Sequence, residues 1–224
     1  MNIVPVKPKV LSVKLIPDAH KSLLESFSAS PKDGTSLGLI TCDMDDALYA
    51  ALDECTKASQ VNVIFAKSFY AGSGHSSGPL SGEVLGIIHG SDNQSVQDGI
   101  NSCLAELERT AWFYKTTGSR EINFFPHVIS SLGYYLSKES GLKPGDPMAY
   151  LIAPPIESVI ALDCALKAAE VKLVKHFKPP TETNFGGAYL TGSLDEVEAS
   201  AKAFAEALCM IAERPFDFGL PTTT

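Results

Sequence analysis

The sequence predicts an α/β protein made of two similar domains in tandem, and three observations support this fold class. Ranges 51–63 and 161–173 match without a gap at six of thirteen positions, 110 residues apart. The same order surrounds both copies: an apolar strand, this helix, a Val-rich strand, a Gly-rich loop, a strand ending in Gly-Ser and a second helix. The 224 residues allow about 100 per domain, enough for a core in each. We therefore expect domains at 1–113 and 114–224.

The first copy begins with a half-buried strand at 10–16, where apolar and polar residues alternate. A short helix within 19–27 and a short buried strand at 37–41 follow. The repeated helix comes next, because apolar residues recur every three or four positions and so share one face. These residues are Leu48, Ala51, Leu52, Cys55 and Ala58.

A loop at 69–81 separates the strands predicted at 62–66 and 83–89. It is rich in Gly and Ser, and loops of this length are usually functional or disordered. Ser91 and Gln94 then fit a capping box, in which each side chain bonds a free amide at the helix start. We expect the helix that they open to run to about residue 108.

The second copy repeats this order after a dissimilar stretch at 111–135, which we interpret as the connection plus the first strand of copy two. A strand at 151–153 leads into Pro154-Pro155, and proline is favourable in the first turn of a helix. The second long loop spans 179–187. Ser193 and Glu196 fit a second capping box, opening a helix to about residue 212.

Composition excludes several classes of function. A net charge of −8 argues against a nucleic-acid partner and against a polybasic membrane binder. No apolar run approaches the 18 residues of a membrane span, and no signal peptide is expected. The five cysteines form no CxxC pair, which fits a reducing cytosol and packed thiols rather than a zinc site. We expect a cytoplasmic protein without a bound metal.

No catalytic arrangement is visible, so we expect no enzyme. The GxSxG, Walker, HExxH and Rossmann motifs are absent, and the five histidines are far apart. The acidic residues Asp43, Asp45 and Asp46 stand at a predicted helix start, where carboxylates stabilise the amides and the positive end of the dipole. Together with Glu83 they would also suit a small cation. Both interpretations can hold at once.

Several phrases, TCDMDDALYAALDE, SFYAGSGHSSGPLSGEVL, GDPMAYLIAPPIES and PPTETNFGGAYLTGS, resemble the tandem-domain shell proteins of the ethanolamine-utilisation microcompartment, the EutL type. The resemblance covers about residues 10–212. It implies two permuted microcompartment-shell domains built from ferredoxin-like βαββα-type units with antiparallel-rich sheets. Three chains would form a pseudo-hexameric tile, a homotrimer that packs with other shell proteins in the cytoplasm.

The resemblance also implies two kinds of pore. A small acidic pore that binds ethanolamine would be lined by Asp45, Asp46, Glu83 and Phe113, with Trp112 as the alternative ring. A central pore would be gated by both long loops, and cobalamin is a candidate ligand there. The gate residues would be Tyr70, Ser73, His75, Thr183, Asn184 and Phe185. From the sequence, glycine hinges are expected at Gly72, Gly74, Gly78, Gly186 and Gly187.

We therefore predict a non-enzymatic shell protein that gates small-molecule traffic. The alternative is a cytosolic ferredoxin-like small-molecule-sensing regulatory module, since similar units also build such regulators. An enzyme that uses the acidic cluster is the weakest reading, because no nucleophile or base partner is visible.

Overall fold

The computed structural model describes residues 3–69, 83–178 and 185–216. Within these ranges the elements are β1 (Ile3–Val6), β2 (Val10–Ile16), α1 (Lys21–Ser26), β3 (Ser36–Cys42), α2 (Asp45–Ala58), β4 (Val61–Phe69), β5 (Glu83–Gly90), α3 (Asn93–Arg109), β6 (Phe113–Thr116), β7 (Asn123–Ile129), α4 (Tyr134–Ser140), β8 (Met148–Ala153), α5 (Pro155–Ala168), β9 (Lys172–Phe177), β10 (Gly186–Thr191) and α6 (Leu194–Glu213). Among the described helices, none is both long and apolar enough to cross a membrane.

The chain divides into two compact units. The N-terminal unit comprises Lys7–Ala111 and Leu132–Glu139, and the remaining described residues form the C-terminal unit. Three segments thus depart from the consecutive halves 1–113 and 114–224. Strand β1 and the residues Trp112 and Phe113 belong to the C-terminal unit, and Leu132–Glu139, the α4 segment, belongs to the N-terminal unit.

The N-terminal unit is a four-stranded antiparallel sheet in the order β2-β3-β5-β4, with helices on both faces. Residues alternate between faces along a strand. A Cβ on Gly38 would lie 2.9 Å from the Val96 side chain of α3, so this face carries α2 and α3. The neighbouring Leu37 packs in a separate cluster with Leu24 of α1. The short helix therefore covers the opposite face.

The C-terminal unit is a six-stranded antiparallel sheet in the order β1-β6-β7-β8-β10-β9. Its main core lies between the sheet and helices α5 and α6, around Phe124, Leu151 and Phe204. The alternating strand residues Phe125 and Tyr150 lie on the other face, where their rings meet edge to face with centroids 5.4 Å apart.

The repeat is visible in element lengths. Helices α2 and α5 each have 14 residues. Strands β2 and β7 each have seven residues. Links of equal length lead from β2 into α1 and from β7 into α4. This fixes the correspondence of residues: position 45 matches 155, and position 21 matches 134.

The predicted strands and helices occur in the predicted order, and the antiparallel-rich α/β architecture is confirmed. The capping box at Ser193 and Glu196 is also confirmed. The capping box at Ser91 and Gln94 is wrong. Asp92 is the N-cap of α3, and its carboxylate accepts the amide of Ser95 at 2.9 Å. An ionised carboxylate is a stronger acceptor than a hydroxyl, and the Ser91 hydroxyl donates to it at 2.8 Å.

The expected hinges at Gly186 and Gly187 are wrong as well, because both residues are buried in β10. Their backbones pair with Ala153 and Ile152 of β8. A Cβ on Gly187 would lie 1.9 Å from the carbonyl oxygen of Leu151, so this glycine permits close strand packing. The other expected hinges, at Gly72, Gly74 and Gly78, lie outside the described residues.

Candidate acidic site

Asp45 and Asp46 form the first turn of α2, directly after strand β3. Both residues are 7% exposed, and the amide of Asp46 donates to Oδ1 of Asp45 at 2.9 Å. The N-cap residue Met44 makes no side-chain capping bond. The two carboxylates therefore supply the negative charge that stabilises a helix N-terminus.

Asp43 has a different role from its two neighbours. Its Oδ1 accepts the amide of Lys9 at 2.7 Å, and its own amide donates to the Lys9 carbonyl at 3.2 Å. This pair of bonds joins the start of β2 to the end of β3. Asp43 therefore stabilises the pairing of β2 with β3.

The backbone of Glu83 lies at the same end of the sheet. Val84 pairs with Cys42, the last residue of β3, so Glu83 stands one position beyond it. The chain from Cys42 reaches α2 within three residues. The fold therefore places the start of β5 beside the turn that leads into Asp45 and Asp46. The side chain of Glu83 lies outside the described part of the structure.

Phe113 belongs to the C-terminal unit rather than to the unit that holds the acidic residues. Its ring is 3% exposed and stacks on Phe125, with centroids 5.0 Å apart. Phe185 is 6.4 Å away by the same measure. Phe113 is thus a packed ring of its own unit, and the neighbouring Trp112 is more exposed. The remaining gate residues, Tyr70, Ser73, His75, Thr183 and Asn184, lie outside the described ranges.

Another buried carboxylate, Asp53 of α2, was not singled out as a functional residue by sequence reasoning. Its two oxygens accept the amides of Gly133 at 2.6 Å and Leu136 at 2.8 Å. The Thr56 hydroxyl accepts the amide of Tyr134 at 2.9 Å. These bonds satisfy three amides at the start of α4 and fix the α4 segment to α2.

Burial of the Asp53 side chain opposes its ionisation. Burial raises the pKa of Asp53, and the two amides partly offset this rise. Gly133 is required at the contact, because a Cβ there would lie 2.5 Å from the carbonyl oxygen of Asp53. The feature of the sequence that pointed to Asp53 was its identity with Asp163 at the same position of the repeat.

The described residues contain no group of three or more His, Cys, Asp or Glu residues placed to hold a metal ion. All five cysteines are free thiols, four of them buried, and burial raises the pKa of Cys42 to about 12. The Cys42 thiol therefore remains protonated and unreactive at neutral pH.

Comparison with known proteins agrees with this architecture. The BMC domain model matches residues 36–117. The microcompartment shell protein EutL of Clostridium perfringens is 44% identical over 213 residues, which cover 95% of this chain and 98% of the relative. EutL of Salmonella typhimurium is 39% identical over 210 residues, 94% of this chain and 95% of the relative.

Among solved structures, the ethanolamine utilization protein EutL from Leptotrichia buccalis is 42% identical. It superposes with a TM-score of 0.88 over 97% of this chain and 100% of the other. These relatives are shell proteins rather than enzymes, and they do not favour a regulatory module. With nearly its whole length aligned to relatives of this kind, the chain belongs to the EutL family of bacterial microcompartment shell proteins.

Proposed function

We propose that this protein is a tile of the ethanolamine-utilisation microcompartment shell, a homotrimer that packs with other shell proteins in the cytoplasm. The observation that carries the proposal is the tandem structural repeat combined with 44% identity to a shell protein over nearly the whole chain. Each chain offers two similar units, so threefold closure makes a ring of six. Closed symmetry is the usual outcome for a soluble chain that binds its own copies.

Electron microscopy of cells that overproduce the protein tests this function. We expect sheets, tubes or hexagonal arrays, because tiles that pack edge to edge extend in two dimensions. Dispersed small oligomers without any ordered array would contradict the shell proposal and support the sensing module instead.

The acidic site is proposed to bind ethanolamine through Asp45, Asp46 and Glu83. A primary ammonium carries three donors and one positive charge, and carboxylates are charge-assisted acceptors for it. The burial of both aspartates and the position of β5 support this proposal. Helix capping alone is the competing account.

Calorimetric titration with ethanolamine separates these two accounts. We expect wild type to release heat and Glu83→Gln and Asp46→Asn to lose most of it, because each substitution removes a charged acceptor. Asp92→Asn is the control. Asp92 also caps a helix of this unit, α3, but it is not one of the proposed ligand-binding residues. Equal heats for all four proteins would leave only the capping role.

A central gate is the third part of the proposal. Its residues are Tyr70, Ser73, His75, Thr183, Asn184 and Phe185, and a corrinoid such as cobalamin is the candidate cargo. The length and composition of the two loops support a gate, since a gate requires states that differ little in free energy. The modification rate of Ser73→Cys in the trimer tests it. A rate that changes with cobalamin or ethanolamine is expected, and a fast rate that neither ligand alters would contradict the gate.

A further inference from the structure

A cavity of about 560 Å³ lies in the N-terminal unit, between the loop after α1, the edge strand β4 and the α4 segment. All of the residues that border it belong to this unit. Sites for small molecules usually have volumes of about 300–1,000 Å³. The cavity borders Thr56 at the C-terminal end of α2, whereas the acidic site lies at the N-terminal end of that helix. It is therefore separate from the acidic site.

Aromatic rings form a large part of the cavity wall. Phe27, Tyr134 and Tyr135 border it. The ring of Phe27 is fixed edge to face against Phe65, with centroids 5.5 Å apart. Tyr134 is 69% exposed, which leaves its ring open to solvent. Rings of this kind offer stacking and edge contacts to a planar ligand.

The hydroxyl of Tyr135 is available to a ligand. Within the described part of the chain it makes no hydrogen bond. Every fully buried polar side-chain atom among the described residues has a partner, so this hydroxyl can be reached from solvent. Burial raises the pKa of Tyr135, and the nearby carboxylates of Glu139 and Asp53 raise it further. The hydroxyl therefore keeps its proton at neutral pH and can donate as well as accept.

Ser28 borders the cavity in a strained backbone conformation. Its φ angle of 58° lies in the left-handed region, where no other non-glycine residue of the described ranges is found. It directly follows Phe27, the C-cap of α1, at a position where glycine is the usual residue. A serine costs conformational energy there that glycine would avoid, and such strain is concentrated at ligand sites.

The wall that β4 contributes is also irregular. Val63 and Ile64 border the cavity. The pairing of β4 with β5 shifts between Val63 and Phe65, so Ile64 is an extra residue in the strand. Ile64 and Phe65 both pack against the α1 cluster, although adjacent residues of a regular strand point to opposite faces. Such bulges are common at sheet edges and beside binding sites.

Two opposite charges border the same cavity. Asp33 and Lys138 are both exposed, and neither forms an ion pair with another residue of the described ranges. A carboxylate accepts charge-assisted hydrogen bonds from an ammonium group, and a lysine donates them to a carboxylate. A ligand with one group of each kind would complement both residues at once.

We propose that this cavity binds an α-amino acid with an aromatic side chain. Asp33 accepts the ammonium group, and Lys138 donates to the carboxylate. The aromatic side chain stacks on Tyr134, and the hydroxyls of Tyr135 and Ser28 bond its polar edge. This inference goes beyond the proposed shell function and does not depend on the trimer, since one chain supplies the whole site.

Calorimetric titration of the intact protein with L-tryptophan and two analogues tests the two charges. Tryptamine lacks the carboxylate, and indole-3-propionate lacks the ammonium group. Asp33→Asn should weaken the binding of L-tryptophan and tryptamine about fivefold and leave indole-3-propionate unchanged. Lys138→Gln should weaken L-tryptophan and indole-3-propionate by a similar factor and leave tryptamine unchanged.

Two control variants show whether the effect is local. Lys32→Gln removes an exposed charge next to Asp33, but Lys32 does not border the cavity. Glu83→Gln alters the acidic site alone. Both variants should bind L-tryptophan as wild type does, because neither substitution changes a residue of the proposed site.

The strained serine provides a test in which binding and stability change in opposite directions. Ser28→Gly removes the hydroxyl and the strain, so it should raise the midpoint of thermal unfolding and weaken the binding of L-tryptophan. Tyr135→Phe should weaken binding and keep the protein folded. Absence of binding of L-tryptophan to wild type at millimolar concentration would overturn the site. Binding that both charge variants leave unchanged would also overturn it, and neither result would affect the proposed shell function.

Discussion

Asp53 and Asp163 occupy the same position of the repeat but have different structural roles. Asp53 is 1% exposed and accepts two amides of the α4 segment. The Asp163 side chain is 48% exposed and pairs with Lys167 one helical turn away. A local motif therefore identifies the position, and its surroundings decide the role. The partner of Asp53 lies 80 residues along the chain, beyond the reach of any local pattern.

Replacing Asp53 with Ala should lower the free energy of unfolding by about 2–3 kcal/mol, because two buried amides lose a charged acceptor. Asp163→Ala is the matched control. It should change stability by less than about 1 kcal/mol, since an exposed ion pair contributes little. Urea denaturation of both variants measures the difference, and equal losses would contradict the role of Asp53.

The pH dependence of stability should carry a signature of Asp53. Burial raises its pKa above the ordinary value of 3.8, so the native state binds this proton more tightly than the unfolded state. Stability from this group is then fully present below pH 3.8 and is lost as the pH rises through the raised pKa. The stability of wild type relative to Asp53→Asn should therefore fall as the pH rises from 3.8 through the raised pKa of Asp53. A constant or opposite difference in urea midpoints would contradict this.

At the scale of elements, the repeated helices show what a sequence pattern can predict. The apolar spacing predicted α2, and proline in the first turn marked the start of α5. Errors arose where two local signals compete over a few residues. Ser91 and Asp92 are adjacent acceptors, and the charged one became the cap. Gly186 and Gly187 were predicted as the end of a loop, but both lie in β10, where the close approach of Gly187 to Leu151 requires glycine.

The attachment of α4 can be tested at Gly133. Gly133→Ala places a Cβ 2.5 Å from the Asp53 carbonyl oxygen, so the α4 segment must shift and strain its hydrogen bonds. We expect a loss of about 1–3 kcal/mol, as for other overpacked sites. Gly118→Ala is the control, because its nearest neighbour would be 3.5 Å from the new Cβ. Hydrogen exchange of the Leu136 amide should accelerate only in Gly133→Ala.

At the scale of the whole molecule, the internal repeat predicted the fold because each copy repeats the same elements in the same order. The exchange of β1 and the α4 segment between units was not predictable, since a strand or helix pattern does not name its partner. The acidic ligand site stays a prediction. Asp45, Asp46 and the start of β5 lie at one end of a sheet, whereas Phe113 is packed among rings of the other unit.

The central claim is that two similar units per chain close into a threefold shell tile. Two-dimensional class averages of the purified protein, recorded by electron microscopy without imposed symmetry, test it most directly. The account predicts face views with threefold symmetry and six similar lobes around a centre. Averages dominated by single chains or by twofold particles would contradict it.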